Sequence, residues 1–152
     1  MTTLDDLEIE YVTVLIGGQM FGLPIARVLD VFVPERLTRV PLAPAAIAGV
    51  LNLRGRIVTA IDMRRLLALP ARGEGEKVMA VGIEYRNESY GLLVDAVGEV
   101  LRFPAASRDA SPVNLDPCWA GVADGVHRLD GRLMVVLDVD RVFELQAKAL
   151  AA

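Results

Sequence analysis

Two stretches of this chain repeat one another in the same order, and that repetition limits the folds open to it. The segment "FGLPIARVLDVF" (21–32) aligns with "YGLLVDAVGEVL" (90–101) at an offset of 69 residues, sharing an aromatic, Gly and Leu at the start and Val, an acid and Val near the end. A second block, "GRIVTAIDMRRLL" (55–67), aligns with "GRLMVVLDVDRVF" (131–143) at an offset of 76. The approach to each second block recurs too, as Pro44 before "AGV" (48–50) and Pro117 before "AGV" (120–122). Chance can produce one match between valine-rich segments; two in register point to a duplicated architecture of two related lobes.

The apolar runs are short and closely punctuated. Strands are expected at Tyr11–Gly17, Met20–Leu23, Arg56–Ile61, Val78–Glu84, Ser89–Val94 and Arg132–Val139, all rich in Val, Ile or Tyr and mostly bounded by Gly, Asn or Pro. Too few residues separate them for helical crossovers, so antiparallel meanders curling into barrels are the economical arrangement. Helices are few and small. Pro44–Ala48 carries proline in a first turn, with Gly49 where a C-terminal cap falls. Asp62 and Asp138 stand where each caps a helix, "MRRLL" and "VDRVFELQAKAL". These signals divide a single domain at 7–146 into a first lobe of about 9–70, a linker at 70–77 and a second lobe of about 78–140. A C-terminal helix at about 139–150 closes it.

Composition narrows the function. Of 152 residues, 53% are hydrophobic, which is ample for a core, yet no apolar run approaches the roughly 18–20 residues of a bilayer span. The start, "MTTLDDLEIE", is acidic rather than signal-like, and the single cysteine, Cys118, excludes an internal disulfide, so a cytoplasmic location is expected. A net charge of −4 disfavours nucleic acid as a partner.

Catalytic chemistry has little to stand on. His127 is the only histidine and has no Cys/His cluster around it in sequence, so it reads as an ordinary strand or loop residue, with neither metal nor cofactor implied. Cys118, beside Trp119, reads as a small buried hydrophobe. Asp62, Asp95 and Asp138 are better explained by capping and turn hydrogen bonds than by a paired-carboxylate mechanism. "GEG" (73–75) lacks the lysine and hydroxyl of a phosphate loop, and "GGQMFG" (17–22) has no helix following it. The chain does not read as an enzyme.

One polar interruption stands out, "NLRG" (52–55), between the apolar segments "GVLNL" and "IVTAI". Gly55 permits a positive φ, Asn52 can satisfy turn backbone, and Arg54 then projects outward with five donors in a planar fork. Two readings stay open on the residues alone: a solvated arginine, worth at most about 1 kcal/mol in an exposed pair, or an interface anchor. The second repeat has Asp130 at the equivalent turn, so the two lobes differ in charge there.

In order and spacing, "FGLPIARVLDVF", "IAGVLNLRGRIVTAIDMRRLL" and "YGLLVDAVGEVL" resemble the CheW family of chemotaxis coupling proteins, over roughly residues 9 to 145. The resemblance implies a mostly β fold of two intimately packed five-stranded antiparallel β-barrels. It also implies an adaptor without catalytic activity, joining the cytoplasmic tips of methyl-accepting chemoreceptors to the regulatory domain of the histidine kinase CheA. Carried over by position, the receptor groove would lie between the lobes and draw on Val28, Asp30, Val31, Leu53, Arg54, Leu92 and Val94, with Asp30 pairing Arg54. The kinase would meet Ile57, Val58 and Met63. Where many relatives carry proline after the turn, this chain has Thr59. The alternative is a small-ligand or regulatory β-barrel domain that uses the inter-lobe groove as its pocket.

Overall fold

The computed structural model describes residues 7–73, 75–109 and 120–151, so Cys118 and Trp119 lie outside the described residues. All six expected strands form: β1 (Glu8–Ile16), β2 (Gln19–Pro24), β5 (Arg56–Asp62), β6 (Met79–Tyr85), β7 (Glu88–Val94) and β10 (Arg132–Leu137). Four more join them: β3 (Asp30–Phe32), β4 (Ile47–Leu53), β8 (Ala96–Pro104) and β9 (Ala123–Leu129). The helix expected at Pro44–Ala48 does not form. One backbone turn remains there, Ile47 N–H donating to Pro44 C=O at 3.0 Å, because Ile47 already enters β4. Gly49 is therefore no helix cap. Its α-carbon is pressed against the Thr38 carbonyl, where a Cβ has no room.

The ten strands make a mostly β structure of two five-stranded sheets, β8-β1-β2-β10-β9 (sheet I) and β3-β6-β7-β5-β4 (sheet II). Two expectations need correcting. Each sheet contains one parallel pair, β2 with β10 and β5 with β7, in otherwise antiparallel ladders. The lobes also do not divide at residues 70–77: β1 and β2 share sheet I with β8, β9 and β10, while β6 and β7 share sheet II with β3, β4 and β5. The reason lies in the repeat itself. Phe21 pairs with Val135 and Tyr90 with Thr59, which are equivalent positions in the two copies, so halves can be exchanged with registers unchanged. Long intervening chain supplies the crossover that a parallel pair requires.

The exchange is matched by the core. A shared cluster takes Val14, Ile16 and Phe21 from sheet I together with Ile61, Val81 and Leu92 from sheet II. Each sheet keeps a smaller interior of its own: Tyr11, Met134 and Val136 in sheet I, and Leu51, Val58, Ala60 and Ala80 in sheet II.

Two helices follow the repeated blocks. Helix α1 (Met63–Leu66) is capped by Asp62, whose Oδ1 accepts from Arg64 N–H at 3.0 Å. Helix α2 (Val139–Ala151) is capped by Asp138, accepting from Arg141 N–H at 3.2 Å. Although α2 leaves sheet I, its Phe143 stacks on Tyr85 of sheet II with ring centroids 4.2 Å apart and meets Tyr90 edge-on. The helix thus ties one sheet to the other.

Candidate partner-binding surface

The "NLRG" corner is a two-residue hairpin between β4 and β5, with Leu53 opposite Arg56. Arg54 and Gly55 both have positive φ, 53° and 83°, the geometry of the primed turns that suit twisted strands. Arginine is an unfavourable occupant, since a left-handed conformation costs about 1–2 kcal/mol for a residue with a Cβ. Asn52 offsets part of that by accepting from Gly55 N–H at 2.9 Å. The second repeat solves the same turn with Asp130 and Gly131.

Arg54 is 79% exposed, with its guanidinium 3.7 Å from Asp30 Oδ2. That is an ion pair rather than a hydrogen bond, and in solvent it contributes well under 1 kcal/mol to folding. Asp30 opens β3, the edge strand of sheet II, opposite Gly82 of β6. Its carboxylate lies directly over Gly82, where a Cβ would collide with it. Acid and base thus come from opposite ends of the strand order of sheet II, Asp30 from edge strand β3 and Arg54 from the β4–β5 hairpin.

Exposed apolar residues neighbour the two along the chain. Leu29, Val31, Val33 and Ile57 are all exposed, Ile57 at 68%. Asp30 borders a cleft of only 40 Å³, lined also by Leu29, Phe32, Leu53, Arg56 and Tyr90 among others. Ordinary ligand pockets start at about 300 Å³, which this cleft does not reach, whereas open hollows of about 600 and 510 Å³ lie beside Asn52 and Ile57 and beside Arg56 and Ile57.

Several expected contact residues lie elsewhere. Leu92 and Val94 are buried in the shared core, because β7 is a central strand covered on both faces, and they cannot floor a groove. The space between the sheets is filled by that core. Val58 and Met63 are buried as well: strand alternation turns Ile57 outward and Val58 inward, and Met63 faces the core from the first position of α1. Val28 and Leu53 are half-buried, while Val31, Arg54 and Ile57 are accessible. Leu29 and Val33 were not anticipated. Their sequence signal was Pro34, which follows an edge strand as prolines do.

A second polar cluster braces the fold at the other end of β5, beyond Asp62. Asp95 accepts from Arg64 Nε at 2.9 Å and Nη2 at 2.8 Å, from Arg72 Nε at 3.0 Å and from Gly17 N–H at 2.8 Å. Arg72 also reaches Asp62 at 3.0 Å. Burial pushes the Asp95 carboxyl upward, but its arginine and backbone donors outweigh that and hold it below the usual carboxylate range. The same bonds push the Arg64 guanidinium upward. Arg72 comes from the 70–77 segment, so this linker is bolted to the body of the protein. Asp62 and Asp138 serve as caps, as expected, whereas Asp95 is an acceptor between two arginines, which the sequence did not suggest.

Among the described residues no three His, Cys, Asp or Glu side chains gather as a metal site, and no helix is long and apolar enough to cross a membrane. A family model described as the CheW-like domain matches residues 10–147. The chemotaxis protein CheW of Thermotoga maritima is 29% identical over 146 residues, covering 95% of this chain and 95% of its own. That of Helicobacter pylori is 24% identical, covering 90% of this chain and 82% of its own. Protein PilI of Pseudomonas aeruginosa is 27% identical over 111 residues, covering 73% of this chain and 61% of its own. The crystal structure of the scaffolding protein TtCheW from Thermoanaerobacter tengcongensis superposes with a TM-score of 0.81 at 25% identity, covering 91% of this chain and 94% of that one. Matched along nearly its whole length by the family model and in its fold by a solved relative, this chain belongs to the CheW-like domain family.

Proposed function

We propose that this protein is a cytoplasmic chemotaxis adaptor, not an enzyme, which joins the tips of methyl-accepting chemoreceptors to the regulatory domain of the histidine kinase CheA. The observation that carries the reading is the Asp30–Arg54 corner, an exposed ion pair at a strained turn with exposed apolar residues next to it in the chain. Membership of a family whose relatives are named chemotaxis and scaffolding proteins supports it.

A helical hairpin docks by laying apolar side chains on an apolar floor with a few fixed polar groups. Val31 and the half-buried Val28 and Leu53 supply such a floor, and Arg54 supplies the polar group. Asp30 limits the directions the guanidinium samples, which reduces the entropy lost when a partner binds. Leu92 and Val94 act only from beneath, by holding β7 in place. On the kinase side Ile57 is the contact, with Val58 and Met63 supporting it from the core. A net charge of −4 is consistent with protein partners rather than nucleic acid.

The test is a binding assay with a receptor cytoplasmic fragment. Arg54→Ala is expected to weaken binding by about 5–30-fold, the effect of losing 1–2 kcal/mol at a hot spot. Arg54→Asp and Asp30→Arg should each impair binding, and their combination should recover part of it. Unchanged binding in all three single variants, each folded, would refute the assignment.

A further inference from the structure

The two sheet interiors differ where the repeats should match. Sheet II carries Ala80 and Leu51 at positions that in sheet I are Tyr11 and His127, and all four side chains are buried. Packing therefore does not require a polar pair there. In sheet I, Tyr11 Oη lies 3.0 Å from His127 Nε2, and Ser107 Oγ lies 3.0 Å from Nδ1. The imidazole stacks on Phe103 with centroids 4.5 Å apart and tilts against Tyr11 at 5.2 Å.

Only one arrangement of protons satisfies this cluster. Ser107 donates its hydroxyl proton to Pro104 C=O at 2.9 Å, so its oxygen accepts from His127 Nδ1–H. Nε2 then carries the lone pair, and Tyr11 O–H donates to it. His127 is neutral with both nitrogens used.

Ser107 belongs to a segment strapped across β9. Asp109 and Val126 exchange two backbone hydrogen bonds of 2.9 Å, and Gly125 leaves the Asp109 carbonyl the room it needs. Exposed ion pairs, Arg108–Asp124 and Arg128–Asp109, both at 3.3 Å, flank the bridge. Sheet II has the same strap, Thr38 bridged to Val50 at 2.8 Å, but apolar Leu51 stands beside it in place of histidine.

We propose that the Tyr11–His127–Ser107 cluster is an acid-sensitive latch holding segment 105–109 against β9. A proton on Nε2 would confront the Tyr11 hydroxyl, which would have to accept instead of donate and would leave its own hydrogen buried without a partner. Burial holds the closed imidazole below its ordinary value of about 6.5, Arg108 acts in the same direction and Asp109 opposes them. Tyr11 is held upward by burial, with Arg108 lowering it and Asp124 raising it, so it stays protonated. Lifting the strap gives His127 to water, where it protonates at its ordinary value. Between that value and the lower one of the closed form, the open form binds more protons, so falling pH favours opening by at most about tenfold per unit. Above about 6.5 the latch is insensitive to pH.

Because the chain has one histidine, nitrogen NMR of the whole protein reads the latch directly. At pH 7 the spectrum should show neutral imidazole protonated at Nδ1. After correction for intrinsic rates, the Asp109 and Val126 amides should lose hydrogen-exchange protection by up to tenfold per unit below pH 6.5, while core amides such as Val14 and Leu92 keep theirs. His127→Gln, which retains a donor and an acceptor but does not titrate, should abolish that pH dependence. Should this variant not fold, Tyr11→Phe serves instead, and its altered midpoint carries the same test. An Nε2–H tautomer, acid loss shared equally by the core amides, or an unchanged slope in the variant would each overturn the proposal.

Discussion

Replacing Asp95 by alanine tests the arginine brace at the end of β5 and β7. The carboxylate receives three hydrogen bonds from two guanidiniums and one from Gly17. Side-chain exposures of 18% for Asp95, 17% for Arg64 and 11% for Arg72 place the group near the protein–water boundary. Breaking a fully buried pair costs about 3–5 kcal/mol, and hydrogen bonds to charged groups contribute about 1.5–3 kcal/mol each without adding fully. Partial solvent access puts the loss near the bottom of the first range, about 3 kcal/mol. At roughly 2–4 °C per kcal/mol for a chain of this size, Tm should fall by about 6–12 °C. The pH dependence carries a second signature. Asp95 titrates lower in the folded protein than in the unfolded chain, so its stabilisation is complete above the unfolded carboxylate value near 4 and fades as pH falls through the folded value. The gap between wild type and Asp95→Ala in urea unfolding should be constant from about pH 7 to 5 and narrow below about 4. A variant melting within 2 °C of wild type (less than about 1 kcal/mol), or a gap that persists undiminished in acid, would refute the reasoning.

Other substitutions separate core from surface. Leu92→Ala should lose about 2–5 kcal/mol by calorimetry, as a buried core truncation does, whereas Ile57→Ala should stay within about 0.5 kcal/mol of wild type. Gly125→Ala drives a Cβ into the Asp109 carbonyl and should cost about 1–3 kcal/mol in urea unfolding. Asn52→Ala removes the acceptor of Gly55 N–H and should cost about 1 kcal/mol, with looser amide protection confined to the β4–β5 turn.

How much of this was legible in the sequence depended on whether the deciding interaction was local. Strands such as Arg56–Asp62 announce themselves by runs of β-branched residues bounded by turn signals, and the Asp62 and Asp138 caps follow from one side chain and its next turn. The repeat revealed two lobes yet concealed their composition. Equal repeats pair equally well within a copy or across copies, and no local signal marks β2 for β10 rather than for a neighbour. Gly49 misled for a related reason: its demand is a carbonyl from Thr38, eleven residues away, not a helix end. At the surface, the pairing of Asp30 with Arg54 follows from the family resemblance rather than from a local signal, and the structure sets the two 3.7 Å apart. Leu92, Val94, Val58 and Met63 were misplaced because apolar character alone does not separate a groove floor from a core. Strand centrality and alternation decide it. His127 was read as ordinary, and its burial was invisible because Tyr11 and Ser107 are distant in sequence.

The most direct measurement of the adaptor account is co-sedimentation of the protein with receptor cytoplasmic fragments and the CheA regulatory domain, comparing wild type with Arg54→Ala at equal folded concentration. The account expects wild type to bring the two partners into one complex, and the variant to keep its kinase association while losing most receptor association. Wild type that assembles with neither partner, or an Arg54→Ala protein that assembles as fully as wild type, would contradict it.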